Sequence, residues 1–318
     1  MSHTIQNAIR AWKCNPELYR LDDPSLYDTA GNIKSASNWT EKHMNSLHIL
    51  YELDTEMSYV LPSDIDSFRL FWTMTRDDIY EDDWSRFYES AQGSNMNTVA
   101  NMTSIMKVLV DLVERRKSAE SDLSSTSDEG YKLEIYTHSL ANNICSSFLK
   151  IMGLHSRQYP SWDYMHIEYY TITLLRSMTG KVRPDGFIAF KRSKIDIVAH
   201  VWVEAKTLEY SPTRNPVRYK NTIPQKAAES LALVQSSWDE NDIRDHEVYG
   251  IEFSHRFVAI WCILFPHQYL VDLQTNATLN YNSFIVMRRS TVLDLIESKD
   301  RRTFAGLFVG LMNHLKEF

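Results

Sequence analysis

The chain has 318 residues, 43% of them hydrophobic and 24% charged, a globular composition that excludes a disordered or collagen-like protein. Only nine glycines occur, none in a G-x-G-x-x-G or P-loop pattern, and only three scattered cysteines, Cys14, Cys145 and Cys262. Nucleotide sites of those kinds, a disulfide framework and a cysteine-built zinc site are therefore excluded, and a reducing compartment, cytoplasm or nucleus, is expected. The net charge of −7 speaks against a nucleic-acid binder, but it is uneven: residues 1–130 carry 12 Lys+Arg against 22 Asp+Glu, whereas residues 181–226 carry 10 against 4.

In chain order, the first twenty residues hold Arg10, Lys13 and Glu17 among polar neighbours, which is not the pattern of a secretory leader. Residues 39–53, 64–88 and 99–113 carry apolar side chains at three- and four-residue spacing, which predicts a mostly helical, acidic N-terminal region over residues 1–116. The acidic run 76–84 lacks the order of a calcium loop and reads as a solvated helix face. Residues 117–130, serine-rich and closed by Gly130, read as a flexible linker to a second domain over residues 131–318. With every chemical motif beyond that linker, the acidic region is expected to be dispensable for chemistry and to meet a protein partner or to autoinhibit.

Downstream, a helix is predicted over 132–152, β-formers over 165–175 and a short strand over 186–190, followed by a basic turn. A strand over 197–208 comes next, then a helix over 222–238 with Thr222 and Gln225 at capping-box spacing and Pro224 in the first turn. Strands over 248–253 and 256–265, a third over 269–273 and a helix from residue 291 complete an α/β domain of coarse order αβββαβ with extensions. The longest apolar run, 257–265, stops at Pro266 and fits a buried strand, not a membrane span.

The strand 197–208 alternates. Its odd positions, from Ile197 to Ala205, are apolar and belong in a core, while His200, Trp202, Glu204 and Lys206 share the other face. His200 and Trp202 are expected to pack under the following helix, and Asp196 to be a turn residue. Hairpin return of the chain can bring Asp185, which opens the preceding strand, close to Glu204 and Lys206. Two carboxylates and an ammonium on adjacent strands suit a hard, oxygen-seeking cation such as Mg²⁺ or Mn²⁺. An internal ion-pair cluster is the plainer alternative.

Pro184-Asp185 followed, after 18 residues, by Glu204-Ala205-Lys206 resembles the signature of the PD-(D/E)xK nuclease superfamily, and the resemblance covers roughly residues 131–275. It implies a restriction-endonuclease-like αβββαβ core and metal-dependent hydrolysis of DNA phosphodiesters; an RNA-directed nuclease is an alternative reading. Asp185, Glu204 and the Ala205 carbonyl would hold Mg²⁺ or Mn²⁺, and Lys206 would be the catalytic lysine. Glu134 on the first core helix would contribute, with Glu168 as a weaker substitute. Gln225, favoured over Gln235, would act from the helix after the lysine strand. The basic segment, through Lys191, Arg192, Lys194, Arg214, Arg218 and Lys220, would contact phosphates. A catalytically inactive scaffold on the same fold is the alternative.

Overall fold

A strand that is apolar on both sides requires a sheet covered on both faces. The computed structural model describes residues 3–55, 129–156, 158–166, 169–206, 222–239, 241, 243–254 and 256–315, and it has that arrangement. Its helices are α1 (His3–Cys14), α2 (Glu41–Ser46), α3 (Glu129–Ile151), α4 (Ile223–Ser237), α5 (His267–Thr275) and α6 (Ser298–Leu315). Its strands are β1 (Ile49–Thr55), β2 (Ser161–Met165), β3 (Tyr170–Leu174), β4 (Met178–Val182), β5 (Gly186–Lys191), β6 (Ile197–Lys206), β7 (His246–Ser254), β8 (Phe257–Phe265), β9 (Ile285–Ser290) and β10 (Leu293–Asp294).

The main sheet runs β1-β9-β8-β7-β6-β5-β2, with β10 on β8, and β3-β4 form a separate hairpin. β2, β5 and β6 are successive antiparallel neighbours, and β7 lies parallel to β6 after a crossover through α4. Helices α3 and α6 cover one face, where Phe148, Phe304 and Phe308 meet Val201, Val203 and Phe253. Helix α4 covers the other, where Ala228 and Leu231 share a core with Trp202 and Trp261. Among the described residues no helix is long and apolar enough to cross a membrane.

The N-terminal residues depart from expectation. Only Glu41–Ser46 of the stretch 39–53 is helical, and residues 49–55 form β1, parallel to β9. Ile49, Tyr51 and Leu53 pack into the α4-side core, a period-two set that also matches helical spacing over so short a run. Leu21, Leu26, Trp39 and Leu47 are buried in the same core. Residues 3–55 are thus built into the sheet and are not a separate module. The helices expected over 64–88 and 99–113, the acidic run 76–84 and most of the linker lie outside the described residues.

Further on, the β-rich stretch 165–175 divides between β2 and β3, and 269–273 is helical, within α5, because Pro266 starts a helix there. The C-terminal helix begins at Ser298, not 291, after β9 and β10.

The alternation of β6 also breaks. Gly186, Phe187 and Ile188 pair with Val203, Trp202 and Val201, but Ala189 pairs with Ala199, so His200 is an extra residue at a bulge. A bulge exchanges the faces of everything beyond it. Val201, Val203 and Ala205 therefore face α3 and α6, whereas Ala199 joins Trp202 on the α4 side. His200 does not pack under α4; its ring lies 5.3 Å from that of Trp162, in the opposite core.

Candidate functional site

Because Gly186 pairs with Val203, the residue before it, Asp185, comes level with Glu204. The Asp185 Oδ2 accepts a hydrogen bond of 2.8 Å from the Ala205 N–H, which ties the entry of β5 to the end of β6. The Nδ1 of His138, on α3, lies 3.9 Å from the same oxygen, and His166 Nδ1 lies 2.6 Å from the Asp185 carbonyl oxygen. Gly186 is required for this entry, since a Cβ at that position would overlap the hydroxyl end of Tyr164 on β2.

Glu204 is fully buried beneath α4. Its Oε1 pairs with the Lys206 ammonium and accepts a hydrogen bond of 2.9 Å from Gln225 Nε2. The same amide nitrogen donates to Glu229 Oε1 at 2.8 Å. Glu229 is also fully buried, and among the described residues neither its Oε2 nor the Oε2 of Glu204 has a hydrogen-bond partner. By contrast the side chains of Lys206 and Asp185 are 29% and 24% exposed, so these two groups form the open side of the site.

Burial pushes the Glu204 carboxyl up to about 7, the Asp185 charge adds to the rise, and the Lys206 ammonium restrains it. Burial, with Glu204 beside it, holds Glu229 well above the ordinary carboxyl range. Burial disfavours the charge on Lys206, but Glu204 and Asp185 outweigh it and hold that amine above its usual value, a cation at neutral pH.

A second buried pair sets α4 over the strands. Lys226 Nζ lies 2.5 Å from Glu252 Oε1 and donates to Thr222 Oγ1 at 2.7 Å, while Trp261 Nε1 donates to Glu252 Oε2 at 2.8 Å. Glu252 sits opposite Glu204 in the β6–β7 register. A buried ion pair adds little net stability, but a half-paired one is costly, so it fixes one alignment of helix on sheet. That alignment brings Gln225 to Glu204. The capping box expected from Thr222 and Gln225 does not form: Thr222 makes no side-chain cap, its hydroxyl goes to Lys226, and the Gln225 amide goes to the two carboxylates.

Of the residues named from the sequence, Asp185, Glu204, Ala205, Lys206 and Gln225 come together. Gln235 does not; it pins the β3 backbone through Thr173 with bonds of 2.8 and 2.9 Å. Lys191, Arg192 and Lys194 lie around the far end of the β5–β6 hairpin, about 17 Å from Gly186 at the rise of an extended strand. There Lys191 pairs with Asp163 at 2.7 Å, and Arg192 stands 3.9 Å from Asp196, which is indeed a turn residue. Glu134 belongs to α3, with its side chain outside the described residues, and Glu168, Arg214, Arg218 and Lys220 also lie outside them.

Sequence reasoning missed Glu229, Lys226, Glu252 and His138. The spacing of Gln225 and Glu229, one helical turn apart within an apolar segment, was the available signal for the first. Among the described residues no group of three or more His, Cys, Asp or Glu side chains is gathered closely enough to hold a metal ion. What the structure gathers is a pair of carboxylates, Asp185 and Glu204, joined through the Ala205 backbone.

The raised Glu204 carboxyl has a pH consequence. The folded chain binds this proton more tightly than the unfolded one, so the associated stability is fully present below pH 4.5 and is lost as pH rises through about 7. A shift of that size corresponds to about 3 kcal/mol. The melting temperature is therefore expected to fall between pH 5 and pH 8, and Glu204→Gln to flatten that fall, as thermal melts at stepped pH would report.

Comparison with protein families gives no model that matches this chain, and comparison with curated proteins gives no match.

Proposed function

We propose that the chain is a metal-dependent nuclease that hydrolyses DNA phosphodiester bonds, built on a restriction-endonuclease-like core of α3, β2, β5, β6, α4 and β7. The observation that carries this reading is the convergence of Asp185, Glu204 and Lys206 at one end of the β5–β6 pair, with Gln225 of the crossover helix on Glu204. The connection of these elements supports it: three antiparallel strands after a helix, then a helical crossover to a parallel fourth.

Mg²⁺ or Mn²⁺ would be held by Asp185, Glu204 and the Ala205 carbonyl. The fit rests on Glu204, whose Oε2 is a buried acceptor without a donor among the described residues, a group that a hard cation satisfies. Such an ion supplies Lewis acidity and a more acidic bound water. Lys206, kept cationic by Glu204 and Asp185 and reaching the open side, would orient the attacking water and neutralise charge growing on the phosphate. DNA would approach from the side of Lys206 and Asp185. Arg214, Arg218 and Lys220, which lie outside the described residues, would supply phosphate contacts in this reading. Lys191, Arg192 and Lys194 would touch phosphates only farther along a duplex.

One observation favours a second reading. Glu204 is fully buried and already paired with Lys206, as in an internal ion pair of an inactive scaffold. Mn²⁺ and Mg²⁺ titration by calorimetry and thermal melting, alongside cleavage of duplex DNA, single-stranded DNA and RNA, separates the two. An active site should gain about 2.7 kcal/mol at a metal concentration a hundredfold above Kd and should cut only with metal. A scaffold should show neither effect.

A further inference from the structure

We infer that Glu229 is a positioning residue of this site, holding the Gln225 amide with its nitrogen toward Glu204 and its carbonyl oxygen free to meet water or substrate. The inference deepens the nuclease reading and rests on it for its catalytic consequence, but its geometric content stands by itself. An amide has two N–H groups on one side and an acceptor on the other, and its orientation follows from the partners it meets. Gln225 Nε2 meets two acceptors, Glu204 Oε1 at 2.9 Å and Glu229 Oε1 at 2.8 Å. Reversing the amide would set its oxygen against Oε1 of both carboxyl groups, a contact that is unfavourable while the carboxyl protons sit on the other oxygens or are absent. With Glu204 alone, one contact would oppose the reversal; Glu229 doubles it.

Gln225 is also only partly buried in an otherwise buried first part of α4, between Pro224 and Lys226. Its carbonyl oxygen accepts no hydrogen bond among the described residues and is not a buried orphan. The end of the amide left over is thus the one turned away from the two carboxyl groups. A free acceptor in a site whose Lys206 and Asp185 are partly exposed suits a water or a substrate hydroxyl.

Glu229 is a fully buried carboxyl with one oxygen lacking any partner among the described residues, in the middle of a helix that otherwise buries Ala227, Ala228, Leu231 and Ala232. A buried polar group so poorly served lowers stability relative to an apolar side chain of the same size. A residue that only supported the fold would be better as methionine. Stability given up at such a place fits a group kept for function.

The test uses the full chain, with Glu229→Met and Glu229→Gln, and reads three things. The first is the side-chain amide signal of Gln225 in protein labelled with ¹⁵N-glutamine: in the parent both amide protons should be protected from exchange, and in Glu229→Met one should lose that protection. The second is the melting temperature, expected to hold or rise in Glu229→Met. The third is turnover with saturating Mn²⁺, where kcat should fall about tenfold with KM for DNA and Mn²⁺ affinity unchanged, as for an interaction made only on the way to the transition state. Glu229→Gln, which can present its own N–H to Gln225, should show the same loss of orientation in milder form. An unchanged Gln225 amide signal, or a lowered melting temperature with unaltered kcat, overturns the assignment of Glu229. Loss of amide protection in a protein that cuts no nucleic acid with any metal leaves Glu229 in its positioning place and removes the nuclease reading instead.

Discussion

A chain that begins at Gly130 is expected to fail to fold, or to melt far below the full-length protein. The residues it would lack include β1, whose positions 49–52 pair one for one with 285–288 on β9 and close that edge of the main sheet. They also include Leu21, Leu26, Trp39, Leu47 and Ile49, all buried in the core beneath α4. At about 1.5–3 kcal/mol for each large apolar side chain, the loss rivals the whole stability of a typical domain, about 5–15 kcal/mol. Specific bonds would go as well. The Tyr269 hydroxyl donates to the Leu47 carbonyl at 2.6 Å, the buried Arg289 donates to Asp54 at 2.6 Å, and Ile33 N–H donates to the Thr179 carbonyl at 2.8 Å beneath the β3–β4 hairpin. The acidity that suggested a detachable module lies largely elsewhere: residues 1–55 carry 5 Lys+Arg against 7 Asp+Glu, and residues 56–130 carry 7 against 15. Near-ultraviolet circular dichroism and thermal melting of the two chains decide the matter. A cooperative, native-like transition in the shorter one would show that residues 3–55 are an accessory after all.

What could be read from the sequence was chemistry carried by short local patterns; what could not be read was pairing between distant segments. Asp185 and Glu204 are separated by one hairpin, and a hairpin brings its ends together by its own geometry, so their proximity was legible. The Lys206 position two residues from Glu204 followed from the strand period in the same way. The bulge at His200 was not legible, because nothing in Ala199-His200-Val201 marks an extra residue, and it shifted Ala199 and His200 to faces opposite to those the period assigns. The pairing of β1 with β9 spans more than two hundred residues, and the helix-like spacing around Met44 and Leu47 concealed the switch to a strand at Ile49. Lys226 and Glu252 illustrate a third kind of limit. Each alone is an ordinary charged residue in sequence, and only the α4 crossover puts both in a dry interior where they must pair.

Lys206→Ala and the two carboxylate variants should fail in different ways, and the structure sharpens how. Asp185→Ala and Glu204→Ala remove oxygen ligands, so metal binding and turnover should disappear together. A protonated lysine has no lone pair to offer a cation, so Lys206→Ala should keep metal binding while cleavage falls on the order of a hundredfold or more. The ion pair adds a stability readout. Removing one partner of a buried pair costs about 3–5 kcal/mol, and less here because the Lys206 side chain is 29% exposed. In Lys206→Ala the buried Glu204 carboxylate would face Asp185 and Glu229 without its cation, so the loss should be larger at pH 8 than at pH 6, where protonation relieves it. Saturating Mn²⁺ should then restore most of that stability, because a divalent cation on Glu204 and Asp185 takes over the neutralisation that the ammonium supplied. An ion-pair scaffold would lose the same stability on substitution, and no metal would return it. Calorimetric titration and melting of the three variants at both pH values, beside a cleavage time course, therefore separate ligand, catalytic lysine and structural pair. Undiminished cleavage by a folded Lys206→Ala protein would end the assignment of this site to phosphodiester hydrolysis.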